Sequence, residues 1–183
     1  MTATHDPHDG RPQQPSLFGA ELPDEEYGYR GPTACAAAGI TYRQLDYWAR
    51  TGLVEPSVRP ASGSGSQRLY GFRDILVLKV VKKLLDSGVS LQNIRTAVGY
   101  LRDRGIEDIA TVTLVSDGTT IYECLSRDEA ADLLLGGQGV FAIAVGPSVL
   151  EVQGSLAELP GESPRSDAHT GDELAARRHR RGA

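Results

Sequence analysis

The sequence predicts a mainly α-helical protein: an N-terminal winged helix-turn-helix of four helices plus a wing, a small C-terminal α+β domain, and disordered tails. Three observations carry the prediction. Two short helical segments, 32–38 and 41–50, are separated only by Gly39 and Ile40. A tip of Ser62-Gly63-Ser64-Gly65-Ser66 follows, ends in Gln67-Arg68-Leu69-Tyr70, and leads into two further helical patterns. Helix, tight turn, helix and wing is the order that lays a second helix in the major groove of DNA. The third observation is charge. The chain as a whole carries a net −5, yet residues 28–105 hold 12 basic against 5 acidic side chains, a net of +7. A basic block inside an acidic chain is the footprint of a nucleic-acid-binding module.

Taken in order, residues 1–27 are rich in Pro, Asp, His and Gln and carry a net −5. They have almost nothing to bury, so they are expected to be disordered. Gly31-Pro32 opens the first helix, with proline where its missing N–H costs nothing. Gly39 ends that helix and supplies the turn. Thr41 with Gln44 is a capping-box pair that starts the second helix, and Gly52 stops it. Residues 72–86 read as an amphipathic helix on Ile75, Leu76, Leu78, Val80, Leu84 and Leu85, closed by Gly88. Ser90 caps the next helix, where Leu91, Ile94, Val98 and Leu101 recur at helical spacing. These stripes are core and hold the reading head in place.

The pattern changes after Gly105. Residues 106–160 are read as a small α+β domain for dimerisation or effector response. Strands are expected at 111–115 and 119–124 around a Ser116-Asp117-Gly118 turn. Ser126 with Glu129 opens a helix that runs through Leu135 to Gly136-Gly137. Residues 140–145 read as a buried strand, and 149–156 as a further one. Residues 106–164 carry a net −9, which repels DNA and turns this domain away from the duplex. Residues 161–183 are read as a disordered basic tail ending in Arg177-Arg178-His179-Arg180-Arg181.

The candidate DNA contacts follow from which side chains the helices leave outside. The second helix spends Leu45, Trp48 and Ala49 on the core and leaves Thr41, Tyr42, Arg43, Gln44 and Tyr47 on the reading side. Arg pairs bidentately with guanine and Gln with adenine; either can instead bind phosphate, which positions without specifying. Arg68 and Tyr70 follow the wing tip and suit backbone oxygens, with Arg59 at the wing's start. Lys82 and Lys83 are weaker candidates, for which plain solvation is the competing reading.

The remaining features exclude other classes. No apolar run approaches the roughly 18 residues of a membrane span, and the N-terminus lacks a hydrophobic signal core. A cytoplasmic, nucleoid-associated protein with no membrane partner is expected. Cys35 and Cys124 lie far apart without a CxxC or a neighbouring His, so no metal site, cofactor or disulfide framework is expected. No nucleophile–base set or phosphate loop stands in residues 106–160, so no catalytic residue is assigned. Gly136-Gly137-Gln138-Gly139 follows a helix, where a phosphate cradle must precede one. A non-enzymatic alternative is an interaction adaptor that uses its C-terminal domain on a partner and its basic head for non-specific DNA binding.

The run from Gly39-Ile40-Thr41-Tyr42-Arg43-Gln44 to Gly52-Leu53 resembles the recognition-helix signature of MerR-type transcriptional regulators. Arg68-Leu69-Tyr70 with Phe72-Arg73-Asp74-Ile75 resembles their wing-to-helix signature, and Ser90-Leu91-Gln92-Asn93-Ile94-Arg95 their fourth helix. The resemblance covers residues 29–104, and the whole chain is similar to an actinobacterial branch of the family. It implies a homodimer on a near-palindromic promoter element, whose spacer is bent or untwisted, with RNA polymerase a further candidate partner. Three departures stand out. Asp46 replaces the usual arginine, the long dimerisation helix after the fourth helix is absent, and so are the cysteines that metal sensors place around it. A dimer must therefore use the C-terminal domain or the fourth helix.

Overall fold

The computed structural model describes residues 27–60, 67–102, 104–117, 120–135, 141–159 and 161. The expected disordered segment up to residue 26, the wing tip at 62–66, the turn glycine 118, the helix end at 136–137 and the basic tail at 177–181 lie outside the described residues.

The chain enters through β1 (Tyr29–Arg30) and turns directly into α1 (Gly31–Ala38), with Pro32 in its first turn. Gly39 then takes φ 73°, and its N–H and that of Ile40 both donate to the Cys35 carbonyl. A side chain at this left-handed position would be strained, so the reversal between the first two helices depends on glycine. α2 (Tyr42–Arg50) starts on Thr41, whose hydroxyl accepts from the Gln44 N–H at 3.3 Å. In return the Thr41 N–H donates to Gln44 Oε1 at 2.9 Å, the reciprocal pair that the sequence announces.

Beyond α2 the backbone of Arg59 pairs antiparallel with Leu69 through two hydrogen bonds of 3.1 and 2.9 Å. On its other side β2 (Leu69–Tyr70) pairs antiparallel with β1. α3 (Phe72–Asp86) differs from the one-faced helix expected. Ile75, Leu76, Val77, Leu78, Val80 and Val81 are all buried, and at 100° per residue they point to every side. Four elements cover it: α1, β2, α4 (Leu91–Arg102) and the last helix of the chain.

The C-terminal half corrects three expectations. A helix, α5 (Ile106–Thr111), ends on the residue where a strand was expected to begin; its Ile106 and Ile109 share one face, and Ile109 is fully buried. The hairpin starts only afterwards, as β3 (Thr113–Ser116) and β4 (Ile121–Cys124). After α6 (Arg127–Leu135), β5 (Phe141–Ala144) completes an antiparallel sheet in the order β4-β3-β5. Read as a buried strand, β5 is instead an edge, with Ala142 and Ala144 exposed and Phe141 and Ile143 half-buried. Residues 149–156, read as a strand, lie in α7 (Gly146–Ala157). Val149, Val152 and Leu156 are buried at helical spacing against α1, α3 and α5, a cover that a strand cannot supply. A Cβ at Gly146 would stand 2.9 Å from the Ala110 carbonyl oxygen, so glycine permits the close start of α7 on α5.

Two acidic side chains tie these elements together. Asp74 is only 8% exposed, and its Oδ2 accepts from Ser57 N at 2.7 Å, Ser57 Oγ at 2.8 Å and Gly71 N at 2.9 Å. Burial pushes its pKa up while these donors pull it down. Glu151 of α7 accepts from Lys83 at 2.8 Å and pairs with Lys79 at 3.3 Å, both on α3. The Lys83 hydrogen bond holds its carboxyl below the usual range, with Lys79 adding to the effect against partial desolvation.

Asp74→Ala leaves three donors without their acceptor, and chemical denaturation should show a loss of about 1–3 kcal/mol. An unchanged midpoint would mean that water replaces the carboxylate at no cost. Because the folded pKa of Glu151 is lowered, its contribution is present above the ordinary glutamate range. That contribution is lost as pH falls through the folded value. The stability gap between wild type and Glu151→Gln should therefore be widest near neutrality and close on acidification.

Candidate nucleic-acid interface

The exposed side of α2 is set by what its other side buries. Leu45 and Trp48 are 2% and 3% exposed, and Ala49 is half-buried. This anchoring leaves Tyr42 at 64% and Tyr47 at 47% exposure, with Thr41, Arg43 and Arg50 also exposed. Arg43 makes no hydrogen bond or ion pair among the described residues, so its guanidinium enters any new contact without surrendering an old one.

Gln44 is placed differently. Its Oε1 accepts from both Thr41 N and Thr41 Oγ1, at 2.9 and 3.0 Å. Bidentate reading of adenine needs that same oxygen as acceptor. The structure therefore assigns the amide to the helix start, and base reading by Gln44 would open the cap.

Asp46, on the same helix, bridges two arginines. Its Oδ1 accepts from Arg68 Nη1 at 2.9 Å and its Oδ2 lies 2.9 Å from Arg50 Nε. The hydrogen bond from Arg68 holds the carboxyl below the usual aspartate range, and the Arg50 charge works in the same direction against partial desolvation. Reciprocally, Asp46 raises the Arg68 pKa. The contact fastens α2 to the arm that carries Arg68. Sequence reasoning saw in Asp46 only a missing arginine. The i,i+4 spacing to Arg50 was a readable signal, but Arg68, 22 residues away, gave none.

Arg59 is half-buried and donates from Nε to the Gln67 carbonyl at 3.2 Å, across the base of the 59–69 arms. Tyr70 corrects the expectation of a surface phenol. It is 0% exposed, and among the described residues its hydroxyl is buried beside Arg68 with no partner in good hydrogen-bond geometry. Burial pushes the phenol pKa up, with the neighbouring Arg68 charge opposing. Tyr70 thus forms the floor of a cleft whose walls include Arg30, Tyr42, Asp46, Gln67 and Arg68. The lysine candidates are engaged elsewhere: Lys82 pairs with Asp86, and Lys83 donates to Ser148 Oγ and Glu151 on α7.

Of the eight candidates, Thr41, Tyr42, Arg43 and Tyr47 come together on the exposed side of α2. Arg68 joins them through Asp46, while Gln44, Arg59 and Tyr70 stand behind as supports. Burial pushes both thiols, Cys35 and Cys124, up from the usual cysteine value. Among the described residues no group of three His, Cys, Asp or Glu could hold a metal ion, and no helix is long and apolar enough to cross a membrane.

Residues 29–101 match the model of the MerR HTH family regulatory proteins. The chain is 62% identical over 174 residues to an uncharacterized HTH-type transcriptional regulator of Mycobacterium tuberculosis, covering 93% of this chain and 77% of that protein. A Mycobacterium bovis protein of the same description matches to the same extent. A heavy metal-dependent transcription regulator of Rhizobium meliloti is 32% identical over 74 residues, 40% of this chain and 48% of that one. With its helix-turn-helix in place and a relative at this identity covered over 77% of its length, the chain belongs to the MerR family of DNA-binding transcriptional regulators.

Proposed function

We propose that this protein is a sequence-specific regulator that binds a near-palindromic promoter element as a homodimer, with α2 in the major groove. The 59–69 arms and their tip serve as the wing on the flanking backbone. The observation that carries this reading is Arg43, exposed and unengaged on the first turn of a helix whose opposite side is locked into the core. A base-reading arginine needs that combination of a fixed backbone and a free guanidinium.

Two identical heads are required because one helix-turn-helix buries too little for tight specific binding, and paired heads about 34–36 Å apart reach successive major grooves. The basic head, at +7, faces the duplex and the acidic segment, at −9, is repelled from it. Such a protein works in the cytoplasm at the nucleoid, with RNA polymerase as the partner that a promoter position brings into reach. Gel-shift titration against the protein's own promoter and random DNA tests the reading. Equal affinity for both would leave only a non-specific DNA-binding adaptor.

Arg43→Ala should cost about 1–3 kcal/mol on the operator and flatten base preference at one position in each half-site. Arg68→Ala should instead weaken binding to all sequences alike and reduce the salt slope by about one. Asp46→Asn tests the bridge between them. It frees Arg50 and Arg68 from a shared carboxylate, so affinity for random DNA should rise and the salt slope should steepen. A fall in affinity for both DNAs would show that Asp46 matters for holding α2 against the arm more than for neutralising it.

A further inference from the structure

We infer that the homodimer forms by antiparallel pairing of β5 with β5 of a second copy, joining two three-stranded sheets into one of six in the order β4-β3-β5-β5′-β3′-β4′. The inference rests on the homodimer proposed above and names its surface. Among the described residues no strand pairs with the outer edge of β5. An edge of unpaired N–H and C=O groups invites another strand, and proteins ordinarily blunt it with lysine, proline, a bulge or a covering element. β5, Phe141-Ala142-Ile143-Ala144, carries none of those side chains.

The opposite edge is defended. β4 holds Glu123, paired with Arg104, and Tyr122, whose hydroxyl bonds Asp117. α6 lies over β3 and β4, packing Ala130 and Leu133 on Val115 and Cys124. The β5 residues that share that sheet face, Ala142 and Ala144, are left exposed.

Charge selects the occupant. Two copies of a segment with net −9 repel each other except where charge is missing, and no charged side chain occurs from Leu133 to Leu150. β5 lies inside that gap. The flanking Leu135 and Leu150 are 86% and 55% exposed, which adds apolar surface on either side in sequence. A two-fold axis brings one strand against its own copy antiparallel, so each supplies the donors and acceptors that the other lacks. α7 packs its buried side on α1, α3 and α5, and Arg95 and Arg102 on α4 donate to the carbonyls of Thr51 and Gly52.

The test measures mass by sedimentation across a concentration series for the full chain, for Ala142→Lys/Ala144→Lys and for Ala142→Ser/Ala144→Ser. Both alanines are exposed, so folding, read by circular dichroism and melting, should persist. Wild type and the serine pair should be dimers. The lysine pair sets like charges against their copies and should weaken association by about a hundredfold or more. A dimer undisturbed by the lysines overturns the β5 interface while the homodimer stands; a monomeric wild type, free and on DNA, overturns both. Should the lysine pair unfold, hydrogen exchange on wild type decides. The amides of Ala142 and Ala144, which alternate with those turned toward β3, should lose protection as the dimer is diluted to monomer, and protection at these two that does not follow dissociation rules the pairing out.

Discussion

A helix that buries apolar side chains on every side must be covered on every side, and that constraint on α3 organises the molecule. α1, β2 and α4 enclose most of it within the helix-turn-helix head, and α7 supplies the rest. A single cluster of buried side chains therefore runs from Tyr29 to Leu156. One consequence is mechanical. α1 packs on both α3 and α7, so the helix that precedes the recognition turn is held by the C-terminal segment as well as by the head. Lys79 and Lys83, which a charge map of the head alone assigns to solvent or DNA, are turned instead toward Glu151.

The sheet meets the same core through one of its faces only. Leu114 belongs to the large cluster, whereas the adjacent Val115 packs under α6 with Cys124 and Ala130. Alternation along a four-residue strand thus joins two layers that the period of a strand necessarily separates. The cover is uneven because α6, nine residues long, reaches β3 and β4 and stops there.

How much of this was legible depends on the kind of signal involved. Caps and turns are local, and they held: the Thr41–Gln44 box, left-handed Gly39, Gly52 and Gly88, and Ser126 accepting from the Glu129 N–H at 3.1 Å. The elements that depend on distant cover were harder to read. Residues 149–156 form a short run in which periodicity alone cannot separate strand from helix. What decided it was the presence of α3 and α1 to receive Val149, Val152 and Leu156. The same limit applies to the interface. Exposure of Arg43 follows from helix phase, while burial of Tyr70 follows from strand pairing with Tyr29 and the packing of β2 on α3.

Asp46 shows why a count of basic residues overstates what is offered to DNA. Arg50 and Arg68 share one carboxylate, so the three groups together carry a single positive charge, and a phosphate that takes either arginine must displace an existing partner. Displacement exchanges one charge-assisted hydrogen bond for another and gains less than a fresh contact would. The compensation is order: a guanidinium held at 26% side-chain exposure has already lost much of its rotamer freedom, so less remains to be lost when DNA arrives. Arg43 has the opposite character, with no partner to give up among the described residues and its full side-chain entropy still to lose. On the function proposed above, sequence-independent attraction is restrained at the arm, while a contact able to discriminate bases stays available on α2. A head that binds DNA in the proposed way would sacrifice affinity for DNA in general and keep the energy difference between the right site and the wrong one.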